Sequence, residues 1–207
     1  MPFIKRDPSG PAPGGAHAPD AVSPISSLGS ADAEIRWSAA RALAGQPAAV
    51  PALAAALARE AVPRVREAIM TALMRVGDAA SVQVLLPYLR SQDARLRAAA
   101  IETLQALPDA ISPFMTSLLA DADSDVRLLA AELARNMPAP EATRLLCALI
   151  EHETHPNVCA AALDVLAEVG TRDALPVLRG CGERFAGTPF LPFAVSVAIA
   201  RISGAES

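Results

Sequence analysis

One ten-residue unit returns along this chain at a nearly fixed interval: an apolar residue, usually followed by arginine, then a run of alanines ending on leucine. Its copies read EIRWSAARAL (34–43), RVREAIMTAL (64–73), RLRAAAIETL (95–104), DVRLLAAELA (125–134) and NVCAAALDVL (157–166). The apolar anchors Ile35, Val65, Leu96, Val126 and Val158 are 30, 31, 30 and 32 residues apart. Twelve residues after each anchor stands a helix breaker: Pro47, Gly77, Pro108, Pro138 or Gly170. Two independent markers that keep one phase through five copies predict a repeat array, in which each unit buries its apolar face only by stacking on its neighbours.

Each unit divides into two predicted helices. From an anchor, the positions at +3, +4, +7 and +8 form one face, as with Ser38, Ala39, Ala42 and Leu43 in the first copy. The breaker ends this first helix, and a second follows with its own stripe, such as Val50, Leu53 and Leu57 or Val82, Leu85, Leu86 and Leu89. Asp32, Asp93 and Asp123 each precede their anchor by three residues, where a carboxylate caps exposed N–H groups. Alanine, with 46 copies against only 3% aromatic residues, suits backbones that approach closely. No segment alternates with a period of two, so no strands are expected.

The valine–arginine anchors, the A-x-x-A-L runs and the D-x-D turns resemble the short bacterial HEAT-like repeats, the type also found in phycobilisome lyases. The resemblance covers about residues 29 to 184. It implies an all-α, right-handed α-solenoid of about five helix pairs. The W-x-x-L-G and T-P-L-H signatures of tetratricopeptide and ankyrin repeats are missing. The fifth copy departs from the pattern, with Cys159 for the arginine and His155 for the capping aspartate, but keeps its spacing and Gly170.

Residues 1–28, rich in proline, glycine, serine and alanine, read as a tail, with Ile25 and Leu28 able to fold back onto the first helix. Residues 185–207 read as a C-terminal cap whose helix begins near Pro189. No apolar stretch reaches the length of a membrane span and no secretory signal opens the chain, so a cytoplasmic protein is expected. The net charge is −4, and 17 of the 18 basic residues are arginines interspersed with acids. Nucleic acid is therefore not an expected partner, since its binders gather positive charge on one face. HEAT-like DNA glycosylases, for comparison, rely on a basic concave face. Cys147, Cys159 and Cys181 sit in apolar patterns without C-x-x-C spacing and read as reduced, buried thiols.

The sequence offers little chemistry. In Glu151-His152-Glu153-Thr154-His155 the histidines are three apart, where the zinc motif HExxH needs four, and they fall in a turn between repeats. The HEAT-repeat iron hydroxylases carry several His-Glu pairs, whereas this chain has one. No metal, cofactor or catalytic set is expected. The ladder Arg36, Arg66, Arg97 and Arg127 could bind an anion, but its place in the repeat pattern favours pairing with acids or carbonyls of neighbouring turns.

A non-catalytic protein-binding module, an adaptor or scaffold, is the expected function. In the family resembled, second helices line the concave side, which makes Arg59, Gln83, Tyr88, Arg90, Arg144 and Arg179 the candidate partner-binding residues. Trp37, opposite the buried stripe, is either covered by the tail or an exposed anchor. Phe190 and Phe193 complete the set: with Leu191, Val195, Ala198 and Ile202 against repeat five, they fall on another face, either covered by the preceding loop with Phe185 or free for a partner or a homodimer contact. The alternative is a phycobilisome-lyase-like enzyme or accessory factor acting on a tetrapyrrole-bearing protein, separable by bilin absorbance.

Overall fold

The computed structural model describes residues 23–204. Among these residues it is built from helices alone, without strands. A single turn, α1 (Pro24–Ser27), leads into five helix pairs: α2 (Ala33–Ala42) with α3 (Val50–Arg59), α4 (Pro63–Val76) with α5 (Ala79–Leu85), α6 (Ala94–Gln105) with α7 (Pro108–Leu119), α8 (Ser124–Leu133) with α9 (Ala139–His152), and α10 (Pro156–Val169) with α11 (Leu175–Arg184). A last helix, α12 (Leu191–Gly204), closes the stack.

The first helices stack in one layer, α2 on α4 on α6 on α8 on α10, and the second helices stack beside them from α3 to α11. Between the layers runs a core of leucine, alanine, valine and isoleucine. In repeat five all four stripe positions, Ala161, Ala162, Val165 and Leu166, are buried as the spacing predicts. At +4, Ala100, Ala130 and Ala162 are fully buried, so the small side chain lets α6, α8 and α10 approach closely. Asp32, Asp93 and Asp123 cap α2, α6 and α8, accepting from Glu34, Arg95 and Asp125 amides at 2.8, 3.0 and 2.9 Å.

Two expectations need correction. Ile35 does not act as a buried anchor: it is 47% exposed, because among the described residues no earlier first helix covers that end. The first helix stops before Pro47, at Ala42; Gly45 then turns the chain in a left-handed conformation (φ 76°) that a side chain would strain. Of the two residues expected to fold back onto the first helix, Leu28 is buried where α1 lies against α2, while Ile25 is 48% exposed. Residues 1–22 of the expected tail lie outside the described residues.

At the other end α12 takes the place that a sixth first helix would have, lying on α10 and touching α11. Leu191, Val195, Ala198 and Ile202 form its buried face, as expected. No helix among the described residues is long and apolar enough to cross a membrane.

Candidate interaction surface

The turns between repeats share one hydrogen-bonding plan. Each contains a residue whose side-chain oxygen accepts the N–H two places on: Ser30 from Asp32, Glu60 from Val62, Ser91 from Asp93, Asp121 from Asp123 and Glu153 from His155. The carbonyl of the same residue accepts from the side chain six places on. Arg36 reaches Ser30 at 3.0 Å, Arg66 reaches Glu60 at 2.6 Å, Arg97 reaches Ser91 at 2.6 Å and Arg127 reaches Asp121 at 2.8 Å. Cys159 continues the series, its thiol directed at the Glu153 carbonyl 3.9 Å away. The arginine ladder is thus a structural device that ties each first helix to the turn before it, satisfying carbonyls that have no helical partner.

Two rungs also fork forward onto a glutamate of the next turn. Glu60 is held by Arg36 through two bonds, Nε to Oε2 at 2.7 Å and Nη2 to Oε1 at 2.9 Å. Glu153 is held by Arg127 in the same way at 2.7 and 3.0 Å. Both glutamates are almost buried, at 7% and 6% exposure, and each also caps its own turn. The Arg36 hydrogen bonds pull the Glu60 carboxyl down to about 2. Burial pushes the Glu153 carboxyl up, but Arg127 and the His155 amide outweigh it and leave it below its ordinary value. These glutamates escaped the sequence reading. Their signal is E-x-x-P, at 60–63 and 153–156, used where the aspartate cap is missing and proline opens the helix.

The residues singled out from sequence fall into different situations. Gln83, Arg144 and Arg179 are exposed on α5, α9 and α11. Arg59 and Arg90 are exposed but engaged: Arg59 donates to the Leu28 carbonyl at 3.3 Å, and Arg90 pairs with Asp121. Tyr88 is half-buried instead of outward, because α5 ends at Leu85 and Leu86–Arg90 tightens into a 3₁₀ turn that changes the phase. Burial pushes its phenol up. Trp37 is half-buried between two guanidinium groups, Arg41 and Arg64, 4.5 and 4.3 Å from the ring centroid. Arg64 also pairs with Glu34 at 2.7 Å.

Phe190 and Phe193 are 44% and 72% exposed on the last helix and the residue before it. His152 and His155 are exposed, while the Glu153 between them faces inward to Arg127. Among the described residues no three His, Cys, Asp or Glu side chains gather as metal ligands would. Cys159 and Cys181 are buried, Cys147 half-buried, and burial pushes the Cys147 thiol up to about 11. Arg135 links repeats four and five, reaching Glu132 at 3.1 Å, Asp164 at 2.9 Å and also Glu168.

Comparison with known proteins bears on this architecture. A model of HEAT repeats matches residues 23–105 and 111–184. The crystal structure of an archaeal HEAT-like repeats protein from Thermococcus onnurineus NA1 is similar, with 16% identity, a TM-score of 0.52, and coverage of 89% of this chain and 87% of that one. Looser likenesses include a designed armadillo repeat protein in complex with the peptide (KR)4, at 17% identity, 86% and 98% coverage and TM-score 0.42. Another is the complex of CpcE and CpcF of phycocyanin lyase from Nostoc sp. PCC7120, at 20% identity, 94% and 100% coverage and TM-score 0.39. At 16% identity the archaeal likeness speaks to the fold alone. No curated protein sequence matches the chain. With five stacked helix pairs, one recurring turn plan and a family match along most of its length, the chain belongs to the HEAT-repeat proteins.

Proposed function

We propose that this protein is a non-catalytic interaction module, an adaptor or scaffold of the cytoplasm, that holds a protein partner on the exposed side of its second-helix layer. One observation carries the reading. Gln83 and Arg144, each eighteen residues after the anchors Val65 and Val126, stand exposed in the same register, with Arg179 on the next second helix. Arg144 and Arg179 have no ion-pair partner among the described residues, so their charge is available to a partner. An open stack offers such a surface over a long span, which suits a protein better than a small molecule.

The test is Arg144→Glu combined with Arg179→Glu, used as bait in capture from the source cell and quantified by mass spectrometry. The partner held by the wild type is expected to fall about tenfold, the effect of roughly 1.4 kcal/mol. Its melting temperature should stay within about 2 °C, since surface changes seldom exceed about 0.5 kcal/mol. Undiminished capture would move the site off this face.

Phe193 supports a second contact, between two copies through the last helix. A 72% exposed phenylalanine, with Phe190 beside it, adds apolar surface that water disfavours. Light scattering over a concentration series should show wild-type self-association that Phe193→Glu removes without loss of thermal stability. A wild type that stays monomeric throughout, or a variant that melts earlier, would refute the contact.

A further inference from the structure

The forward-reaching rungs of the ladder are not all complete. In repeats one and four the guanidinium forks onto a glutamate of the next turn, and in repeat two Arg66 reaches Asp93 at 3.0 Å. Repeat three is different. Arg97 donates from Nη1 to the Ser91 carbonyl, and its Nε and Nη2 have no acceptor among the described residues. The turn residue at the right distance is Asp121, 24 positions on, the same separation as Arg36 and Glu60. Asp121 is one methylene shorter than glutamate, one of its oxygens caps the Asp123 amide, and the other pairs with Arg90.

Arg97 borders an open cleft of about 470 Å³. Arg90, Gln92 and Arg97 line it from one repeat, Asp123 and Asp125 from the next, with Leu128 and Leu129 among its apolar lining. The same arginine position, in the same repeat frame, accepts a glutamate side chain in fork geometry twice elsewhere in this molecule. We infer that Arg97 is an unfilled carboxylate socket, and that it takes a glutamate side chain from an extended segment of a partner protein. The charge of Arg90 is taken up by Asp121, so the two aspartates oppose a bare anion and the segment brings a cation with it: a lysine or arginine adjoining the glutamate. The planar fork of arginine gives this contact its geometry. The identity of the carrier as a protein rests on the interaction-module reading above; the chemistry of the socket does not.

The experiment follows the Arg97 Nε–H signal by proton–nitrogen correlation spectroscopy of the whole chain. The probes are acetyl-Glu-Lys-amide and, as the neutral twin, acetyl-Gln-Lys-amide. The glutamate peptide should move the Arg97 signal saturably and leave those of Arg36 and Arg127 in place, with the glutamine peptide at least tenfold weaker. Asp121→Glu supplies the missing methylene from within the chain. It should shift the Arg97 signal without any peptide and abolish the response to the probe. Arg97→Lys, which keeps the charge but lacks the fork and its signal, is followed through the backbone amides of residues 91–97 and should lower the affinity about tenfold while the protein stays folded.

Equal responses to both peptides, or an Arg97 signal that neither peptide moves, would overturn the socket. So would undiminished peptide binding in Asp121→Glu or Arg97→Lys. The two readings fail separately. Peptide binding at Arg97 with capture unaffected by the Arg144 and Arg179 reversals removes the proposed surface and leaves the socket. Reduced capture with no peptide response removes the socket and leaves the surface.

Discussion

Leu104→Ala is expected to cost about 2–5 kcal/mol of stability, read as a lower urea midpoint at nearly constant slope. Leu104 is fully buried on α6, the middle of the five first helices, which packs against both α4 and α8. A stack is held by nearest-neighbour interfaces, so damage here weakens the joints to both halves of the array. Ala100, one turn earlier on the buried face of α6, is too small to fill the space. The same truncation at the exposed Ile35 is expected to cost under about 0.5 kcal/mol. A loss below about 1 kcal/mol at Leu104 would contradict the central packing.

Glu60→Gln is expected to destabilise by roughly 1–3 kcal/mol at neutral pH, because it removes a charge-assisted fork onto Arg36 and leaves polar atoms of that turn imperfectly matched. Its pH dependence is the sharper observable. The carboxyl titrates near about 2 in the folded protein against an ordinary value of 4.5, so the folded state favours the ionised form. The resulting stabilisation is fully present above pH 4.5 and is lost as pH falls toward about 2. Unfolding curves taken between pH 7 and 2 should therefore show the wild type and variant converging as acid is added. A constant gap over that range would show that the Arg36–Glu60 pair does not report through proton binding.

The legible part of this fold was its period. Anchors, stripes and aspartate caps are local patterns, set by residues within one or two turns of each other, and the helices follow them. Glu60 and Glu153 were hidden for the opposite reason. Each receives an arginine from 24 or 26 residues earlier, and a separation of that size has no local signature. Tyr88 was misplaced because helical phase was carried through Leu86–Arg90, where the chain tightens. Cys159 looked like a lapse in the ladder, yet its thiol points at the carbonyl that arginine reaches elsewhere. Ile35 shows how a repeat frame misleads at its edge: the residue type is kept while the neighbour that buries it is not there. Of the candidate surface, exposure was legible at Gln83, Arg144 and Arg179, whereas the engagement of Arg59 and Arg90 needed three dimensions.

The place of α12 gives the stack a direction. Among the described residues six helices fill the first layer from α2 to α12 and five fill the second, so α12 lies on the stack without a second-layer helix beyond α11. That last helix lies over α10 and reaches α11, where Val195 sits so close to Gly182 that a β-carbon there would come within 3.3 Å of it. The C-terminal end is latched: neither helix of repeat five can peel away before α12 has let go. Among the described residues the opposite end has only the single turn of α1 over α2, and Ile25 and Ile35 are 48% and 47% exposed. The described array is therefore a zipper with one sealed end, opening from its first repeat toward its last.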